Sequence, residues 1–132
     1  MPKNTILCVD DEKIILNSLK SQLKSRYGSY FNYEIASSAE EGLEIIEDLY
    51  DTGDQILVVV SDWLMPGIKG DEFLIKVHEK FPQIVTLLLS GQADKNAIEN
   101  AYERANLHSF INKPWDENEL LTIIDSCIDV KA

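Results

Sequence analysis

Three acids, a serine and a lysine each stand at the end of an apolar run, and their types suit metal-assisted phosphoryl chemistry. Asp10 and Asp11 end Thr5-Ile6-Leu7-Cys8-Val9, Asp62 ends Val58-Val59-Val60-Ser61, Ser90 closes Leu87-Leu88-Leu89, and Lys113 follows Phe110-Ile111-Asn112. Converging carboxylates repel one another unless a cation sits among them. Hard oxygen ligands with room for water suit Mg²⁺. A lysine ammonium and a serine hydroxyl are what a phosphoryl group needs once a metal has taken one of its oxygens. Asp62, delivered by the most hydrophobic run straight into Met65-Pro66-Gly67, is the best placed to act as nucleophile and form an aspartyl phosphate.

Each piece alone has an ordinary explanation. An Asp-Asp pair is commonly a helix N-cap, a Lys before Pro a solvated loop residue, and Ser-Gly a turn. Their joint placement, each after a separate apolar run, is what favours chemistry.

The elements that must hold them alternate strand and helix five times. Thr5 to Val9 reads as a buried strand, and Glu12 to about Ser25 as a helix with Ile15, Leu16, Leu19 and Leu23 on one face. Tyr33 to Ala36 is a short strand after a loose Tyr27–Tyr30 loop. Ser37 with Glu40 has capping-box spacing ahead of the stripe Ala39, Leu43, Ile46. Ile56 to Val60 is an uninterrupted run of the kind found in strands covered on both faces. Gly70 opens a third helix, with Phe73, Leu74 and Val77 inward, and Pro82 ends it. Ile84 to Leu89 is the fourth strand, and Lys95 to Ala105 the fourth helix, with Ile98, Ala101, Tyr102 and Ala105 at helical spacing. Ser109 to Asn112 is the fifth strand. Asp116 and Glu119 cap a last helix with the stripe Leu120, Ile123, Ile124, Cys127 and Ile128. This order predicts a single α/β domain, residues 1–132, with a doubly wound parallel sheet of five strands. Such sheets bind ligands beyond the carboxyl ends of their strands, where these residues fall.

The totals agree with one soluble domain. The chain has 132 residues, 45% of them hydrophobic, and a net charge of −11 from 12 basic and 23 acidic residues. That charge argues against nucleic-acid binding and against an anionic membrane surface. No apolar run approaches a membrane span and the N-terminus has no secretory pattern, so a cytoplasmic location is expected. Cys8 and Cys127 read as small buried hydrophobes rather than a disulfide framework. His78 and His108 read as partly solvated structural residues.

With these residues placed, the chain resembles the receiver domain of two-component response regulators over essentially its whole length. The matching motifs are Val9-Asp10-Asp11, Asp62 with Met65-Pro66 and Gly70, Ser90 after Leu87-Leu88-Leu89, and Lys113-Pro114. The resemblance implies a flavodoxin-like (βα)5 fold with strand order 2-1-3-4-5. It implies that Asp62 accepts a phosphoryl group from a sensor histidine kinase or a histidine phosphotransfer protein. It also implies that Asp11, Asp62 and the carbonyl of Leu64 bind Mg²⁺ directly, with Asp10 assisting through water. Ser90 takes the position that contacts the phosphoryl group and Lys113 that of the lysine that pairs with it. Phe110 takes the aromatic switch position, more often a tyrosine. An output domain or downstream protein, or a second copy in a homodimer, would then read strand five and its flanking helices, including Lys95, Glu99, His108 and Trp115.

Some features depart from the commonest pattern. The segments Ser25 to Asn32 and Tyr50 to Gln55 are longer than usual, Gly91 stands where alanine is frequent, and Ile68-Lys69 precedes Gly70 where an acid is frequent. Trp115 replaces a common Phe and reads as packing over the start of the last helix. Two other classes are weighed against a working receiver. An Asp-nucleophile phosphatase of the haloacid dehalogenase-like group would carry a second Asp where Leu64 stands. A degenerate, binding-only receiver would lack the Asp pair, the acceptor or the lysine, and all are present. The domain is therefore expected to catalyse only its own phosphorylation and dephosphorylation. No output domain follows the last helix, so action through a bound partner, or as part of a longer regulator, is expected.

Overall fold

The computed structural model describes the backbone of residues 4–131. Five parallel strands, β1 (Asn4–Val9), β2 (Asn32–Ala36), β3 (Gln55–Asp62), β4 (Val85–Ser90) and β5 (Ser109–Asn112), lie in the order β2-β1-β3-β4-β5. Helices α1 (Lys13–Tyr27), α2 (Ala39–Asp51), α3 (Gly70–Lys80), α4 (Lys95–Arg104) and α5 (Glu117–Lys131) connect or follow them. Parallel neighbours need a crossover, and right-handed crossovers put helices on both faces of the sheet.

Side-chain alternation along the strands divides the apolar interior in two. Leu7, Val9, Val59 and Leu88 face one way and pack with Ile46, Phe73, Leu74 and Ala101 from α2, α3 and α4. Ile6, Cys8, Val58, Val60, Leu87 and Leu89 face the other way, against Leu16, Leu19 and Leu23 of α1 and Leu120, Ile124 and Cys127 of α5. The β3 run is continuous because both of its faces are covered, and Ile56 to Val60 are all buried.

Several boundaries differ from the sequence expectation for identifiable reasons. The second helix is capped one residue later than expected. Ser38, not Ser37, accepts from the Glu41 amide at 3.1 Å, and the Glu41 carboxylate accepts from the Ser37 amide at 3.0 Å. Two adjacent serines followed by two adjacent glutamates made the registers equivalent on paper. The fourth strand starts at Val85 and runs through Ser90, while Ile84 is buried just before it. The first helix continues to Tyr27 and closes through Gly28 at φ 57° into a single 3₁₀ turn, Gly28–Tyr30, which accommodates the long Ser25–Asn32 segment. Tyr102 is 45% exposed, so it lies off the inward stripe of α4, where the small Ala97 and Ala101 make the contact. Asp116 caps α5 as expected, accepting from the amides of Asn118 at 2.8 Å and Glu119 at 3.2 Å. The chain end at Ala132 lies outside the described residues.

Candidate functional site

The parallel sheet delivers its strand ends to one edge. There Asp10 follows β1, Asp62 closes β3, Ser90 closes β4 and Lys113 follows β5. A cleft of about 590 Å³ at that edge is lined by Asp11, Glu12, Asp62, Leu64, Met65, Pro66, Ser90, Gly91, Gln92 and Lys113. Asp10 lies beneath it, fully buried.

Carboxylate oxygens of Asp10, Asp11 and Asp62 lie within 4.8 Å of one another. Burial grades across them: Asp10 is 0% exposed, Asp62 5%, and Asp11 is exposed. Lys113 Nζ donates to Asp10 Oδ2 at 2.8 Å and stands 3.2 Å from Asp62 Oδ1, so one ammonium serves two buried acids. The other Asp10 oxygen accepts from the Glu12 amide at 2.9 Å.

Electrostatics follow from this packing. Burial, then the neighbouring Asp10 charge, pushes the Asp62 carboxyl up to about 6, and Lys113 pulls against both. Burial alone would lower the Lys113 ammonium, but its hydrogen bond to Asp10 and the charges of Asp62 and Asp10 outweigh that and raise it. A single lysine therefore does not fully offset the acids, which is the condition under which a hard divalent cation is favoured. The donor set fits Mg²⁺: carboxylates with an open, solvent-facing side for water.

The loop after β3 is built around two glycines. Gly67 takes φ 81° after Pro66, the left-handed geometry a Pro-Gly turn requires. Gly70 donates its N–H to the Trp63 carbonyl at 2.8 Å, and a Cβ placed on it would lie 2.0 Å from the Asp62 carbonyl oxygen. Only a residue without a side chain lets α3 start this close to the strand that carries Asp62.

Ser90 is 2% exposed, and its Oγ accepts from the Gln92 amide at 3.0 Å, so it is held at the cleft wall. Leu64 is 44% exposed at the rim. Phe110 pairs in register with Leu88 and packs half-buried against the core beneath α3 and α4, so it lies outside the cleft lining. Trp115 is half-buried, and its indole donates to Gln22 Oε1 of α1 at 2.8 Å, which agrees with a packing role. His108 is exposed and His78 half-buried, both remote from the cleft lining.

Sequence reasoning did not mark Glu12, whose amide orients Asp10, because a backbone donor carries no residue signature. It also missed Asp71. That acid lies in the first turn of α3, where acids are common for helix-dipole reasons. Both of its oxygens are nonetheless engaged by side chains from other elements.

The response regulator receiver domain model matches residues 6–125. The chain belongs to that family. The hydrogenase transcriptional regulatory protein HoxA of Cupriavidus necator is 29% identical over 128 residues, covering 97% of this chain and 25% of that protein. Chemotaxis protein CheY1 of Helicobacter pylori is 30% identical over 112 residues, covering 83% of this chain and 85% of that one. A CheY-like receiver domain structure from Methanospirillum hungatei superposes with a TM-score of 0.84 at 30% identity, covering 98% of this chain and 95% of that chain. The chain spans about a quarter of the length of the HoxA relatives it matches. As a receiver domain it has the family's general function, phosphorylation by a kinase within a two-component system. Receiver domains are phosphoacceptor signalling domains, generally use Mg²⁺ at an acidic pocket, and pair with histidine kinases and output domains. No helix among the described residues is long and apolar enough to cross a membrane.

Proposed function

We propose that residues 1–132 form one receiver domain in which Asp62 is the phosphoacceptor, with Asp10, Asp11, Asp62 and the Leu64 carbonyl holding Mg²⁺. The observation that carries this reading is the gathering of three acids with Lys113 bound to two of them at the carboxyl edge of the sheet. Bound there, the ion would supply charge neutralisation and a hold on one phosphoryl oxygen.

The remaining work falls to side chains. Asp62, raised to about 6, is largely ionised at neutral pH and presents a carboxylate nucleophile. Its oxygen forms a bond to the phosphorus of a phosphohistidine as the bond from phosphorus to the imidazole nitrogen breaks. The imidazole keeps that electron pair. Lys113, already beside Asp62, pairs with the incoming anionic oxygens, and Ser90 donates its hydroxyl to another. In hydrolysis a water oxygen bonds to the phosphorus in line as the bond from phosphorus to the Asp62 oxygen breaks, which releases inorganic phosphate and restores the carboxylate. The domain thereby governs both its own phosphorylation and its dephosphorylation.

The donor is a sensor histidine kinase or a histidine phosphotransfer protein. The modified domain then presents β5 and its flanking helices to an output domain, a downstream protein or a second copy. Lys95, Glu99 and His108 are exposed on that side. A net charge of −11 fits a cytoplasmic, protein-binding role rather than nucleic-acid binding by this domain.

The test is incubation with acetyl phosphate, and separately beryllofluoride, with and without EDTA. Labelling should require Mg²⁺ and vanish in Asp62→Asn. Labelling that persists in that variant, or that ignores chelator, would sink the assignment.

A further inference from the structure

Trp63 sits between the proposed acceptor, Asp62, and Leu64, whose carbonyl is a proposed ligand. Its ring does not line the acidic cleft. It lines a separate hollow between the starts of α3 and α4, with Lys69, Asp71, Asp94, Ala97 and Asn100. There the indole N–H donates to Asp71 Oδ1 at 3.0 Å, and Asn100 Nδ2 donates to Asp71 Oδ2 at 3.2 Å. Asp71 is only 8% exposed. Its carboxylate therefore accepts from a neutral donor on each oxygen, one from the β3–α3 loop and one from α4. A buried carboxylate without such donors is costly, so the two bonds hold the three residues together.

Trp63 is constrained at both ends. Its carbonyl accepts from Gly70 at 2.8 Å while its side chain is held by Asp71, one residue further on. The Lys69 ammonium stands 5.9 Å from the ring centroid. The Trp63–Leu64 peptide thus cannot shift without pulling on the start of α3 and, through Asp71, on Asn100.

We propose that Asp71 is a positioning residue for the ion site, holding the Trp63–Leu64 segment through the indole, and that the same carboxylate carries ion occupancy to α4 through Asn100. The proposal rests on the reading of Asp10, Asp11, Asp62 and the Leu64 carbonyl as an Mg²⁺ site. The route runs along α3 and α4, apart from the path through Ser90 and Phe110 on β4 and β5. It operates before any phosphoryl group arrives. By reciprocity, a partner that binds α4 in the arrangement favoured by the ion tightens Mg²⁺ binding by the same factor.

The test is an MgCl₂ titration of the unphosphorylated chain followed by ¹⁵N NMR, with thermal unfolding to verify that each variant folds. In the parent protein the amides of Asp10, Asp11 and Asp62, the Trp63 indole N–H and the α4 amides around Asn100 should all shift together. Asn100→Ala should keep the shifts at the acids and the indole while those on α4 collapse. Asp71→Ala should weaken Mg²⁺ binding several-fold. Asp71→Asn should restore it, since the amide oxygen accepts from Trp63 and the NH₂ donates to a flipped Asn100 carbonyl. If Asp71→Ala does not fold, Trp63→Phe keeps an aromatic side chain but lacks the indole N–H that Asp71 accepts, and it should show the same several-fold loss of Mg²⁺ affinity. Unchanged Mg²⁺ affinity in the first Asp71 variant or in its Trp63→Phe substitute, or unchanged α4 shifts in Asn100→Ala, overturns the relay alone. No response at Asp10, Asp11 and Asp62 in the parent overturns the ion site, and the relay with it.

Discussion

Lys113 Nζ stands 3.2 Å from Asp62 Oδ1, a contact made across the sheet edge from the end of β5 to the end of β3. The contact leaves Asp62 still raised, to about 6 against an ordinary 3.8, because burial and then Asp10 outweigh it. A carboxyl whose folded value is raised favours folding most below its unfolded value, and that contribution is lost as pH rises through the folded value. In EDTA the domain should therefore lose stability between about pH 4 and 6, as Asp62 ionises. Asp62→Asn should be more stable than the parent at pH 7, by about 1–3 kcal/mol, and the gain should shrink at pH 4. Thermal unfolding of the two proteins at both pH values, without metal, checks this. A variant less stable than the parent at pH 7 would contradict it.

The same linkage acts in the alkaline range through Cys8. Burial, then Asp10, pushes its thiol up to about 12 from 9.0. Unfolded chains give up this proton first, so stability should fall as pH rises above about 9 and keep falling towards 12. Cys8→Ala should show a shallower alkaline loss, although it is less stable at pH 7 by about 1–2 kcal/mol for the lost packing. In the native state at pH 8, Cys8 should not react with a thiol reagent on the timescale of minutes, and it should react at once in denaturant. Rapid native labelling would show that the sheet opens far more readily than its burial implies.

Gly70→Ala tests how closely α3 must approach the acceptor. The added carbon would meet the Asp62 carbonyl oxygen at 2.0 Å and the Trp63 Cα at 2.8 Å, all backbone that cannot rotate aside. The loop must shift, and the peptide bearing the Leu64 carbonyl shifts with it. The expected result is a loss of about 2–4 kcal/mol in stability and a weakened Mg²⁺ response. Gly53→Ala is the control: its Cβ meets nothing within 4 Å, although φ is 87°, so only backbone strain of about 1–2 kcal/mol is expected, with the metal response intact. Equal effects on Mg²⁺ binding would remove the steric explanation.

Much of this site was legible because strand ends are. A strand buried on both faces must be an apolar run, so the polar residues that end it mark the sheet edge. Asp10 and Ser90 directly follow such runs, Asp62 comes one residue after one, behind Ser61, and Lys113 closes the shorter, half-buried β5 behind Asn112. Strand order needed the family resemblance, since alternating elements alone allow several parallel arrangements. Other features could not be read. Ser38 rather than Ser37 caps α2, because Ser37-Ser38 and Glu40-Glu41 satisfy the same motif in two registers. Tyr102 falls on the inward spacing of α4 but points out, because Ala97 and Ala101 bring that helix too close for a large ring. Asp71 carried no signal at all: its partners Trp63 and Asn100 are 8 and 29 positions away.

Leu64 should lengthen the life of the phosphorylated state. It lines the cleft rim opposite Gln92, and its isobutyl group offers no hydrogen bond to orient an attacking water. Leu64→Asn places an amide there without removing the backbone carbonyl proposed as a ligand. Hydrolysis of the aspartyl phosphate should speed up several-fold, with the rate of phosphorylation by acetyl phosphate little changed. An unchanged or slower hydrolysis rate would show that orientation at this rim is not limiting.

The last expectation concerns the passage of the phosphoryl signal to β5. Ser90 lies 2% exposed at the cleft wall and should move towards phosphoryl oxygens when Asp62 is modified, drawn by a charge-assisted hydrogen bond. Its Oγ now accepts from the Gln92 amide, so the loop after β4 must follow that movement. Phe110, on the adjacent strand and half-buried against Leu88, is placed to fill the space the loop leaves. A phenyl ring has no hydroxyl to fix either position, so packing alone sets the balance, and the two states should differ by only about 1–3 kcal/mol. Two consequences separate this from a fixed core residue. Phe110→Tyr should shift the balance on its own, and beryllofluoride should move the β5 amides in the parent but not in Ser90→Ala. Structures or NMR spectra with and without beryllofluoride decide it. An unchanged Phe110 rotamer with silent β5 amides would leave α4, reached through Asp71, as the route to the surface.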